Sequence, residues 1–460
     1  MSTVKERVDT IVCGKYVMTL NPYDFVIPRG AIAIKDGLIV DVGDEYSIKD
    51  RYVAEEVVER KHHVVMPGLL DCHVHTQQLL LRSALGDVLM QMPPVWTKIL
   101  VPFEEAMSED LARLSTQASI LNMLKNGVTY FVEAGAPYPE ILVEEAIKSG
   151  IKGVVTYATY DVVEGETRRT SEVMERALML YEGFSKASSR VRIWMSLRQV
   201  MMSSEELVRS VMEECRKHGI GLTLHLAEYQ GEVDYTLSKY GMRPLEYMVY
   251  RGIGEIKPVI VAHGIYLSPV EISLLKKHGI GLCWCPTVDS WLMGIHWTGL
   301  LDDEDLIAGI GSDGGAWNRL DVLHEIKVAR AIGKAVANSL FYYKSGTSAR
   351  RLLKMATGHG GALVGERVGV IGKGYPADLA VLNVSSIKTM PVIDPVDAVV
   401  SYLEGDAVTD VLVDGVFVVK NGNVITVDEE RVLKELLDRE DQVREVVHEL
   451  FKKLPISPPS

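Results

Sequence analysis

His73 and His75 stand two apart in the run MPGLLDCHVHTQQ, at the end of a short apolar segment. Side chains alternate along a strand, so residues two apart face the same way. Two imidazoles held side by side are half of a metal site. On an open loop the same pair would be ordinary surface histidines; the apolar run and the Pro67-Gly68 turn before it favour the metal. His225 ends a second apolar run, GLTLHLAE, and Glu228 follows three residues later. A lone histidine at a strand end is most often structural, but one with a carboxylate just beyond it offers a ligand together with a general acid or base. His263 in VIVAHGIYLSP lies between a third run and a helix start, and Asp313 in LIAGIGSDGGAWN follows the last run. Four of these groups can bind one ion if the fold brings them to a common rim.

Other chemistries fit less well. Gly309, Gly311 and Gly314 match G-x-G-x-x-G. A dinucleotide fingerprint opens an early βαβ unit, however, and this one closes the series. These glycines are expected to let the chain turn tightly beneath an ion. The H-x-E … P-C-x-x-C pattern of cytidine-type deaminases, the G-x-S-x-G elbow and the phosphate-binding Walker loop are all missing from the sequence. Cys283 and Cys285 flank Trp284 in an apolar run and read as packing, and His62 and His63 precede the first run at the end where stability is the usual role.

Eight apolar runs, at 64–70, 129–133, 152–158, 191–197, 221–226, 258–262, 280–284 and 307–311, have the texture of buried parallel strands. Helical stretches separate most of them. Ser203 with Glu206 reads as a capping box opening a helix that stops at Gly219. Ser268 with Glu271 reads as another, with Pro269 at the first helical position and Gly279 as the stop. Eight βα alternations imply an α/β fold, a closed (β/α)8 TIM barrel, over residues 67–365. The stretches before and after it, 1–66 and 366–427, are rich in Val and Ile and broken by Gly or Asp turns. Neither is long enough for a domain, so together they are expected to build one small composite β-sandwich. Residues 428–460 read as an amphipathic helix to about Phe451 and a loose Pro-rich tail.

The 460 residues are 47% hydrophobic and carry a net charge of −13. Such a chain buries a large core, and its acidity argues against nucleic acid as a partner. Five scattered cysteines show no disulfide framework, and neither a signal segment nor a membrane-spanning run is visible. The expectation is a soluble, reduced, cytoplasmic protein with no membrane partner.

In order along the chain, PGLLDCHVH, GVTYFVEAG, LTLHLAE, VAHG and GSDGG resemble the amidohydrolase superfamily. The branch resembled is that of methylthioadenosine/S-adenosylhomocysteine deaminases, guanine deaminases and triazine chlorohydrolases. The likeness extends to ADLAVLNV and VLVDGVFVVKNG, which are similar to the family's second sandwich half. The resemblance implies that His73, His75, His225 and Asp313 are metal ligands, Glu228 the proton shuttle and His263 a stabiliser of charge. It implies one divalent ion, since no lysine ends strand 4 to bridge a second. Zinc is expected from the nitrogen donors, with iron or manganese as alternatives. Relatives suggest a homo-oligomer.

The substrate motifs are mixed. Where the methylthioadenosine branch has a His-Ala-Pro-Tyr-like segment, this chain has SLRQVMMSSEEL, and its Arg198 looks more like the arginine that guanine deaminases aim at the purine oxygen. Gln78 matches a base-contacting glutamine of the same enzymes. Arg82 and Trp96 resemble the methylthioadenosine branch instead. After strand 7 the family's Cys-Pro-x-Ser-Asn becomes CPTVDSW, with Val288 and Asp289 in place of Ser-Asn. The activity implied is hydrolytic deamination of an amino-substituted N-heterocycle, releasing ammonia. Asp313 would accept the proton of the ion-activated water, and Glu228 would protonate the ring nitrogen. A guanine-type, chlorohydrolase or other C–N reaction is the alternative within enzymes, and an inactive purine-binding relative the alternative outside them.

Overall fold

The computed structural model describes residues 5–23, 26–85, 96–163, 166–295, 303–340 and 347–452. The Pro-rich tail lies outside them. The barrel strands are Leu69–His75 (strand 1), Val128–Glu133 (2), Lys152–Val155 (3), Leu222–Leu226 (5), Val259–His263 (6) and Gly281–Trp284 (7). Strands 4 and 8 are each in two pieces, Val191–Ile193 with Met195–Leu197, and Ala308–Ile310 with Asp313–Gly314. The breaks do not open the ring. The first piece of strand 4 pairs with strand 3 and the second with strand 5. The first piece of strand 8 pairs with strand 7 and the second with strand 1. All these pairings are parallel, so every strand ends at the same rim. Most strand residues are buried, as the unbroken apolar runs require of a sheet covered on both faces.

The 64–70 run spans two elements: the long strand Tyr52–Pro67 ends just before strand 1 begins. Gly68 sits between them because a Cβ there would lie 2.2 Å from Thr129 Oγ1. The helix after strand 4 is capped by Ser204, not Ser203; its hydroxyl accepts from Leu207 N, and the helix stops at Gly219 with φ 64°. The Ser268 box, with Glu271, Pro269 and Gly279, forms as read. The last helical stretch is two helices, Glu429–Asp438 and Glu440–Phe451, broken at Arg439.

The two terminal β segments meet in one eight-stranded sheet. Its order is Asn423–Val424, Val416–Lys420, Val408–Val413, Leu379–Asn383, Tyr52–Pro67, Glu6–Met18, Val26–Lys35, Leu38–Asp44. The seam is antiparallel, from Leu379 opposite Pro67 to Asn383 opposite His63. Val12, Ile32, Val58 and Val65 from the first segment share a core with Leu379, Val381 and Leu412 from the second. Neither segment could bury those side chains alone. A helix, Pro395–Tyr402, interrupts the second segment.

Candidate metal centre

Strand 1 delivers His73 and His75 to the rim, both almost fully buried. Asp71, two residues earlier, accepts hydrogen bonds from the Ser312 amide (2.9 Å) and hydroxyl, which ties strand 1 to the break in strand 8. Gly309, Gly311 and Gly314 serve close approach, not tight turning: none has a positive φ. A Cβ on Gly311 would lie 2.8 Å from His73 Cβ, and one on Gly314 would lie 2.4 Å from Gln78 Oε1. The left-handed conformations fall instead on Ala227 (φ 49°), His263 (φ 67°) and Asp313 (φ 60°). Non-glycine residues adopt that region at a cost, and such strain gathers at functional sites.

The structure brings together His73, His75, His225 and Asp313. His75 Nε2 and His225 Nε2 are 3.2 Å apart. Asp313 Oδ1 lies 3.7 Å from His73 Nε2 and 3.5 Å from His75 Nε2. The His73 and His225 ring centres are 4.7 Å apart. Burial, with help from nearby cations including Arg198, holds all three imidazoles well below their ordinary pKa, so they are neutral and their nitrogens can donate lone pairs. Both ring nitrogens of His73 and the Nδ1 atoms of His75 and His225 are buried without a hydrogen-bond partner. Buried polar groups are normally satisfied. Two neutral imidazole nitrogens facing each other, with a carboxylate beside them, fit a divalent cation. The donor set, three nitrogens and one oxygen, suits a tetrahedral ion with an open position.

His263 and Cys285 also reach this cluster. His263 Nδ1 is 2.7 Å from Asp289 Oδ1, and its Nε2 is 3.7 Å from Glu228 Oε1. Burial opposes charge on this ring, but Glu228 and Asp289 outweigh it and lift the imidazole to about 10. A protonated imidazole is a hydrogen-bond donor and a poor ligand. Burial likewise keeps the Cys285 thiol protonated. The departure CPTVDSW thereby acquires a structural reason. Asp289 binds His263 with one oxygen and accepts from Cys285 N at 3.2 Å with the other.

Glu228 sits three residues past His225, buried, with its carboxyl pushed up to about 7 by burial. Its backbone amide donates to Glu232 Oε2 (3.1 Å), and its Oε2 accepts from Gln199 Nε2. A cavity of about 30 Å³ is lined by His75, Gln78, Leu100, Arg198, His225, Glu228, Val288, Leu292, Asp313 and Trp317. That volume is enough to hold a water.

Gln78 and Arg198 reach this cavity as the sequence suggests. Arg82 and Trp96 are not among its lining residues. The Arg82 guanidinium donates to the carbonyls of Gly315 (3.2 Å) and Asn318 (3.1 Å), beside a separate cleft of about 480 Å³ bordered by helix Glu440–Phe451. Trp96 packs edge-on against Tyr229. Sequence reasoning missed Glu104, Gln199 and Trp317, none of which belongs to a recognisable spacing.

The sequence profile of the "Amidohydrolase family" matches residues 64–418. The 5-methylthioadenosine/S-adenosylhomocysteine deaminase of Pyrococcus furiosus is 29% identical over 419 residues, covering 90% of this chain and 96% of its own. The 5'-deoxyadenosine deaminase of Methanopyrus kandleri is 28% identical over 432 residues, covering 93% and 97%. Among solved structures, a zinc-bound adenosine deaminase from Xanthomonas campestris superposes with a TM-score of 0.88 at 23% identity, over 96% of this chain and all of that one.

Proposed function

The chain belongs to the amidohydrolase family, and from that membership together with the site we propose that it is a metal-dependent aminohydrolase. It removes an amino group from an N-heterocycle, in the first instance a 5'-modified adenosine, and releases ammonia. The observation that carries this reading is the convergence of one carboxylate with three neutral, buried imidazoles, four of whose six ring nitrogens lack a hydrogen-bond partner, beside a carboxyl that titrates near neutrality. His73, His75, His225 and Asp313 would hold one ion, with zinc the best match to the donors.

When bound, the ion would supply the Lewis acidity that makes water a nucleophile at neutral pH. Asp313, lifted to about 6 by burial, can accept a proton from that water. Glu228, near 7, exists in both protonation states at neutral pH, so it can give a proton to the ring nitrogen and take one back. His263, which lies against His73 and His225 and is kept cationic by Glu228 and Asp289, would stabilise negative charge developing on the attacking oxygen. Gln78 and Arg198 meet the ring.

Arg198 favours a second reading, a purine bearing a ring oxygen as in guanine, because the guanidinium lines the cavity. An ammonia-release screen on metal-loaded protein separates the two. Its panel holds methylthioadenosine, S-adenosylhomocysteine, 5'-deoxyadenosine, guanine and an amino-triazine, with chloride release measured from a chlorotriazine. Ammonia from an adenosine derivative supports the reading; silence across the panel ends it. Elemental analysis identifies the ion. We further place the protein in the cytoplasm as a homo-oligomer, on the strength of its five free cysteines and its family; light scattering tests the assembly. Among the described residues, no helix is long and apolar enough to cross a membrane.

A further inference from the structure

Two polar side chains reach the cavity from different strands and meet on a single carboxylate behind it. Glu104, on helix Val101–Ala106, is 3% exposed. Its Oε1 accepts from Gln78 Nε2 at 2.7 Å and from Arg198 Nη1 and Nη2 at 3.3 Å each. Its Oε2 accepts from Arg198 Nη1 at 3.1 Å. Glu104 therefore does two things at once. It compensates the charge of a buried guanidinium, and it engages the amide nitrogen of Gln78.

The second effect has a chemical consequence. With Nε2 held by Glu104, the atom of Gln78 left over is its carbonyl Oε1. That oxygen is buried, has no hydrogen-bond partner and lies against Gly314, next to Asp313. The amide cannot turn round while Glu104 is ionised, because two acceptor oxygens would then face each other. An unsatisfied buried acceptor is costly, and a ligand that supplies a donor removes the cost.

We infer that Glu104 is a positioning residue that fixes Gln78 with its carbonyl toward the bound ring, so that the ring edge meeting Gln78 carries an N–H donor. This rests on the reading of the cavity as a heterocycle site. The carboxylate does not touch the ring; it acts through Gln78 and Arg198.

Two variants separate positioning from charge compensation. Glu104→Asp keeps the negative charge opposite Arg198, so the fold survives, but the shorter arm cannot serve both partners. Its KM is expected to rise about tenfold or more, the effect of one charge-assisted hydrogen bond, with kcat within about threefold and metal content unchanged. Glu104→Met removes the acceptor that holds Gln78 Nε2 and leaves Arg198, a donor only, beside the amide, so the amide should reverse. Crystal structures of the metal-loaded wild type and of this variant read that reversal from the neighbours of Gln78, with no substrate needed. A wild-type KM in Glu104→Asp, or an amide that keeps its orientation in Glu104→Met, overturns the inference. If no panel compound yields ammonia, the functional reading fails instead, and the two crystal structures still decide the role of Glu104.

Discussion

At the end of the barrel where the strands begin, Lys152 opens strand 3 and its ammonium is 2.9 and 2.8 Å from the two oxygens of Asp378. It also lies 2.5 Å from Asp414 Oδ1, whose other oxygen accepts from Arg190 Nε at 2.9 Å. Both aspartates come from the terminal sheet. Its cations and carboxylates are matched, so the cluster clasps the sheet to the barrel. At the opposite end, His73, His75 and His225 are as deeply buried, yet four of their six ring nitrogens have no hydrogen-bond partner, and the others face each other. The barrel encloses polar groups at both ends and completes only one set. Where partners are matched, the structure is holding itself together; where they are missing, the gap is shaped for something that binds.

Removing a nitrogen from the open end tests that contrast most severely. His225→Ala is expected to lose bound metal and all measurable turnover, read by elemental analysis beside the ammonia assay; full metal occupancy would remove His225 from the ligand set. Glu228→Gln keeps the shape and loses the proton, so kcat should fall about 10²–10⁴-fold with metal content and melting temperature unchanged. An unaltered rate would exclude the shuttle role. At the closed end the pattern inverts. Lys152→Met leaves the buried Asp378 without its cation, while Asp414 keeps Arg190, and is expected to cost about 3–5 kcal/mol of stability by denaturant unfolding, while kcat per folded molecule stays at the wild-type value.

The smallest effect is in the pH dependence of stability. Glu133 and Glu232 are both pushed up to about 8, chiefly by burial, against an ordinary 4.5. A raised carboxyl binds its proton more tightly folded than unfolded. Its contribution is therefore complete below about pH 4.5 and is lost as pH rises through 8. Unfolding free energy should fall between about pH 5 and 8 in proportion to these groups, and Glu133→Gln should flatten the slope. A steeper slope in the variant would contradict the assignment.

Much of the centre was readable one strand at a time. His73, His75, His225, His263 and Asp313 each end an apolar run, and a parallel barrel sends all such ends to one rim, so order along the chain becomes proximity in space. Glu104 had no such marker: a glutamate in PFEEAM looks like any solvated helix residue until its burial against Arg198 is known. Arg82 shows the converse, since a family likeness suggested a substrate contact while its Nε and Nη2 donate to the carbonyls of Gly315 and Asn318. Asp289 was visible as a departure, but its meaning waited on the 2.7 Å contact with His263. The backbone strain at Ala227, His263 and Asp313 leaves no trace in residue type.

Local pattern was enough to set the strands, their common direction and the kinds of donor at their ends, because alternation and apolar runs are properties of neighbours in the chain. Which nitrogens would be left without partners, which carboxyls would rise toward neutrality and which histidine would hold its proton belonged to the folded molecule. Desolvation and charge pairing depend on every group within a few ångströms, and here those groups come from His73 to Asp313, brought together only when the ring closes.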